Sequence, residues 1–170
     1  MSLHSFTISE EAATYASTAA QDEHETADER RATTRADAAW QDARGIADHP
    51  ALTNLDIGGD VKDWHDRFLI RSDHHMPHAV FIACGTGLQS SWQMKRLGGT
   101  LEAILPHELC GRFSEGCSKS LATGSPVPVD GSYRDDQRRE VLFRSIMMPV
   151  RAMNDDVDFI YGAYSHKVVN

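Results

Sequence analysis

The stretch from Arg139 to Val150 is apolar on both of its faces. As a β-strand, with side chains alternating, it puts Leu142, Ile146, Met148 and Val150 on one side and Val141, Phe143 and Met147 on the other. A sheet with one wetted face needs a single apolar side, so this strand belongs to a sheet that must be covered on both. Its neighbours are Pro126 to Arg134 and Val157 to Val169, joined to it through Asp135-Asp136-Gln137 and Asn154-Asp155-Asp156. Short polar turns between consecutive strands imply an antiparallel meander.

Upstream, Pro106 to Thr123 carries Leu109, Phe113, Cys117 and Leu121 at a steady i, i+4 spacing, with Cys110 on the same broad face. That stripe predicts a helix started by Pro106 and ended by Gly124. Trp64 to Ile70 and Ala79 to Cys84 read as two further strands forming a hairpin, with Trp64, Asp66, Phe68 and Ile70 on one face and His65, Arg67 and Leu69 on the other. Leu88 to Leu97 reads as a short helical piece bounded by Gly85-Thr86-Gly87 and Gly98-Gly99. Neither the hairpin nor the meander buries its apolar faces alone, so the two halves form one unit.

The first fifty residues are different. From Ser9 to Asp48 the chain is rich in Ala, Glu, Asp, Arg, Gln and Thr, lacks Pro, and favours helix. Apolar positions are thin from Glu23 to Arg35 and recover at Ala36, Trp40, Ala43 and Ala47, with Trp40 central; His49-Pro50 ends the pattern. The expected organisation is a helical segment over residues 1–53, as one broken helix or two, and the main domain over residues 54–170. The leading helix, a second copy of the chain, or both cover the second sheet face. A homodimer with Trp40 at the contact is the resulting expectation.

The formal net charge of -8 argues against a nucleic-acid partner, because binding a polyanion is driven by Lys and Arg displacing condensed counterions. No apolar run approaches the length of about 20 residues needed to span a bilayer, and the N-terminus has no signal-like block; the expected location is cytoplasmic. The three cysteines, Cys84, Cys110 and Cys117, form no CxxC pair and read as reduced, core-filling thiols. His65, His74, His75 and His78 invite a metal, but Pro77 breaks the helix an HxxxH pair wants and no acidic or thiol ligand recurs at a matching spacing, so no metal is assigned.

The order of a leading helix, a hairpin, short helices, a longer helix and a three-strand meander resembles the PAS family. The pieces that carry the resemblance are Phe81-Ile82-Ala83-Cys84-Gly85-Thr86, the helix around Glu108 to Cys117, the transition Thr123-Gly124-Ser125-Pro126-Val127, and the strand pair Phe143 to Val150 with Phe159 to Tyr164. It implies an α+β fold: a five-stranded antiparallel sheet with helices packed on one face, preceded by an N-terminal helical segment. It also implies a pocket between the longer helix and the concave sheet face, dimerisation through the N-terminal helix, and a signalling role that binds a small ligand or a partner protein without catalysis. The chain departs from full-length sensor proteins in having no recognisable kinase, cyclase or DNA-binding output after the last strand, so the expected action is through a partner.

Candidate pocket residues are Cys110, Phe113 and Cys117 from the helix and Arg144, Ser145 and Tyr161 from the strands. Arg144 shares a face with Leu142 and Ile146, so if that face is inward its guanidinium needs an acceptor on a ligand or in a salt bridge. Some haem-binding members of the family use a helix histidine, but His107 stands at the helix start, where an axial ligand would not project inward. The Asn-Cys-Arg context of the light-sensing members is absent around all three cysteines, and the cofactor stays unassigned. The alternative is a small cone-shaped isomerase or dehydratase using an inward His or Asp as general base; that class begins with helices and places its bent sheet afterwards, whereas here a hairpin precedes the main helix.

Overall fold

The computed structural model of the chain describes residues 31–57 and 62–169. The expected helix start at Ser9 and most of the charged stretch after it lie outside these residues. The described chain runs through helix α1 (31–44), strands β1 (Arg67–Arg71) and β2 (Val80–Cys84), helices α2 (Thr86–Ser91), α3 (Leu101–Ile104) and α4 (His107–Thr123), then strands β3 (Val127–Arg134), β4 (Glu140–Arg151) and β5 (Val157–Val169).

The strands form one antiparallel sheet in the order β2-β1-β5-β4-β3. Since β2 and β3 are its two edges, the connection carrying α2, α3 and α4 has to cross one face. That face, called inner here, holds Phe68, Ile70, Phe81, Val129, Phe143, Met147, Ile160 and Tyr164 against Leu109, Phe113 and Cys117 of α4. The helix lies close to the sheet because Gly116 faces it: a Cβ there would come 2.4 Å from Val129 Cγ2. Gly124 ends α4 in the left-handed conformation, its N–H bonding Ser120 O at 2.8 Å. This is the PAS-like α+β architecture that the order of elements implied, and the boundaries of β5 agree with the sequence reading to the residue.

The alternation expected for β4 is also present. Val141, Phe143 and Met147 point inward, while Ile146, Met148 and Val150 join Leu69, Tyr161 and Ala163 on the outer face. The outer face is covered by α1, from which Ala36 and Trp40 insert into that cluster. β3 begins opposite Met147, so Pro149 of β4 lies beyond its end and its missing N–H costs no bond on that side. Trp40 fills the vacancy, its Nε1–H donating to Pro149 O at 2.9 Å. Beside it the chain after α1 docks through Arg151 N–H to Pro50 O at 2.9 Å.

Three sequence expectations are corrected here. The leading helix stops at residue 44, where Gly45 takes a φ of 55°, rather than at His49-Pro50. The first strand starts at Arg67, because Lys62–Asp66 is a 3-10 turn; that turn breaks the alternation and carries Trp64 to the outer face, away from Phe68 and Ile70. Trp40, expected at a contact between copies, is 3% exposed within its own chain, so the side chain is committed to its own sheet.

Candidate functional site

The space where a pocket was expected, between α4 and the sheet, is filled by aromatic rings. Phe113 of α4 lies 5.5 Å from Phe68 and 5.9 Å from both Trp92 and Tyr164, and Trp92 lies 5.3 Å from Phe81 and 5.0 Å from Tyr164, all between ring centroids. Edge and tilted pairs at such distances are the arrangement that ring quadrupoles favour. Phe113 and Cys117 are fully buried, and burial pushes the Cys117 thiol up to about 12. Cys110 is nearly buried beside Ser114, with Sγ 3.9 Å from its Oγ. Ser145 follows the inward alternation of Phe143 and Met147, and its hydroxyl donates to Ala163 O at 2.7 Å, so its proton is already spent.

The other two candidates lie elsewhere. Arg144 takes the outward alternation, opposite Asp130 and Ser165 on the flanking strands. Tyr161 is buried in the outer cluster, 5.9 Å from Trp64. The six residues are therefore split across the sheet and do not meet in one pocket. The period-two pattern held both parities in view without stating which faced α4.

An opening remains at one end of the inner core, a cleft of about 370 Å³ between the start of α4 and the β3–β4 turn. Its walls include Trp92, His107, Tyr133, Gln137, Arg139 and His166. The cleft is positioned by the meander: Tyr133 lies opposite Val141, itself opposite Val168, while Phe143 pairs with His166. At its back the Tyr133 and Tyr164 hydroxyls are 2.9 Å apart. Burial raises the pKa of both phenols, most at the deeper Tyr164. Either hydroxyl can donate to the other, so the pair uses one O–H and leaves the second to be given to something else.

Next to them, the Trp92 indole N–H is buried within electrostatic reach of the Tyr164 hydroxyl and has no well-aligned acceptor among the described residues. His166 stacks on Tyr164, with centroids 5.5 Å apart, and keeps its outer side exposed. Loss of water on burial lowers its pKa, with Asp66 pulling the other way. At the rim Asp135 and Arg139 form an ion pair of 2.8 Å. Sequence reading missed Trp92, Tyr133 and His166; the signal was the inward alternation of Tyr133 with Val129 and of His166 with Tyr164.

The histidines of the β1–β2 region do not assemble a metal site. His75 and His78 touch edge to face at 4.5 Å, His78 sits 3.5 Å from Glu102, and no group of three or more His, Cys, Asp or Glu among the described residues is placed to hold an ion. No described helix is long and apolar enough to cross a membrane.

No known family's sequence profile matches this chain, and no curated protein matches it. Solved structures similar to it are PAS and related light-oxygen-voltage domains. A Drosophila melanogaster Cycle PAS-B domain with bound glycerol is 13% identical over 60% of this chain and 99% of its own, with a TM-score of 0.41. A PAS domain from Colwellia psychrerythraea is 8% identical over 61% and 86%, with a TM-score of 0.43. The PAS domain of the fruit-fly ELK potassium channel is 16% identical over 62% and 87%, with a TM-score of 0.40.

Proposed function

We propose that this chain is a sensory or regulatory module that binds a small, uncharged molecule in the inner cleft and passes the signal to a partner protein or a second copy. The observation that carries the reading is the back wall of the cleft, where the paired Tyr133 and Tyr164 hydroxyls leave one O–H over, beside the aromatic faces of Trp92 and His166. A cleft whose largely polar lining is backed by the Trp92 and Tyr133 rings suits a ligand with a ring or aliphatic body and a carbonyl or hydroxyl acceptor. Asp135 and Asp136 outnumber Arg139 at the rim, which disfavours an anion.

Binding, rather than catalysis, fits the cleft. His166, His107, Asp135 and Asp136 line it, but among the described residues neither imidazole has a hydrogen bond to a carboxylate that would orient it as a base, and Asp135 is committed to Arg139. Mass spectrometry of freshly purified protein under native conditions tests the reading, together with an absorption spectrum. A copurified neutral molecule whose occupancy falls in Tyr133→Phe supports it, and a ligand unaffected by that change refutes the assignment to this cleft.

A further inference from the structure

The outer face of the sheet carries a cation with no counter-ion. Arg67 of β1 stands opposite Ala163 and points the same way as Leu69, beneath Trp64 and Tyr161, and is 8% exposed. Its guanidinium carbon lies 5.9 Å from the centre of the Tyr161 ring, and among the described residues it has no hydrogen bond and no ion pair. Arginine cannot shed its proton, and the Arg67 nitrogens are not sealed off by the protein, so the guanidinium is open to an acceptor that enters from the groove.

The same side chain lines a groove of about 360 Å³ between α1 and the sheet. Trp64 and Tyr161 form an aromatic wall, and Asn54 adds an amide. Asp42 of α1 and Asp56 are exposed at its rim. The Trp64 wall is held in place by a hydrogen bond from its Nε1–H to the Asp56 carbonyl. The groove therefore presents one positive charge at its floor, two exposed negative charges at its rim and an apolar wall beside them. A lone anion meets the aspartates, and a lone cation meets Arg67. A molecule carrying both charges on a short apolar body satisfies all three.

We propose that this groove is a second binding site, distinct from the inner cleft, for a small zwitterion of the amino-acid type. The carboxylate takes the fork of the Arg67 guanidinium, the side chain lies against Trp64 and Tyr161, and the ammonium faces Asp42 and Asp56. Because Ala39, Asp42 and Ala43 of α1 form one wall while Arg67 and Tyr161 of the sheet form the floor, an occupied groove ties the N-terminal helix to the sheet.

The test uses the full chain and the standard L-amino acids, applied singly at millimolar concentration in thermal-shift and titration-calorimetry measurements. L-phenylalanine is compared with phenethylamine and hydrocinnamate, which keep the ring and delete the carboxylate or the ammonium. The expected result is at least one amino acid that raises Tm, with both truncated relatives of phenylalanine binding more weakly than phenylalanine itself. Arg67→Gln is expected to lower affinity by roughly tenfold or more, as loss of a charge-assisted fork does. Ligand-free Arg67→Met serves as the folding control: an unpaired buried cation predicts a variant as stable as the parent or more so, whereas a marked drop in Tm means that Arg67 has a structural counter-ion and overturns the proposal. Failure of every amino acid to shift Tm also overturns it, as does binding that survives Arg67→Gln. Binding lost in Tyr133→Phe but kept in Arg67→Gln assigns the ligand to the inner cleft instead.

Discussion

Replacing Phe113 with Ala removes the ring at the centre of the inner core. The ring is fully buried and touches Phe68, Trp92 and Tyr164 at centroid distances of 5.5 to 5.9 Å, so its loss strips three aromatic neighbours at once. Collapse into the gap is restricted. On one side α4 is already held against β3 and β4 at Gly116, and on the other Tyr164 is held by Tyr133. A Phe to Ala change in such a site costs about 3–5 kcal/mol, made up of lost transfer free energy and the cavity left behind. In a chain of this size each kcal/mol moves Tm by roughly 2–4 °C, so the expected drop is roughly 6–20 °C. Urea titration of parent and variant, followed by circular dichroism, measures the difference, with the m-value checking that the unfolded reference is unchanged. Phe113→Leu, which retains most of the apolar volume, is expected to lose well under half as much. A cost below about 1 kcal/mol for Phe113→Ala would show that α4 presents a different face to the sheet.

Trp40→Phe keeps a ring against the outer face but orphans the Pro149 carbonyl, and is expected to lose about 1–3 kcal/mol by urea titration; no loss means that the indole N–H is not bonded there. A chain starting at Asn54 bares Leu69, Met148, Val150 and Tyr161, and sedimentation should find it aggregated or in a changed association state; an unchanged state removes α1 from any role in covering the sheet. Cys84 and Cys117, pushed up by burial to about 12, should be almost wholly thiol at pH 8, about one part in ten thousand ionised, and should react with a thiol reagent only after denaturation. His166 has a folded pKa below its unfolded value, so the unfolded chain binds the proton first. Its contribution is present above the unfolded value of about 6.5 and is lost as pH falls below it. His166→Gln should flatten that part of the stability profile, and an unchanged slope would exclude the stacked imidazole as its source.

Period and punctuation made most of the fold legible from sequence. The two apolar parities of β4, the Leu109, Phe113, Cys117 stripe of α4, and the turns at 135–137 and 154–156 each follow from local backbone geometry, which fixes side-chain direction every second residue in a strand and every third or fourth in a helix. Those periods say that two residues share a face but not which face meets which element. Hence Arg144 and Tyr161 were grouped with Phe113, although β4 and β5 turn them to the opposite side of the sheet. The same limit hid Arg67, whose isolation depends on the 3-10 turn that swings Trp64 over Tyr161 and on α1 closing the groove above it. It also hid the inner cleft, which exists because β3, β4 and β5 align Tyr133 and His166 at the end of a core that Trp92 fills. Burial, pairing and the absence of a partner depend on groups far apart in the chain, and only the packed sheet brings those groups within reach of one another.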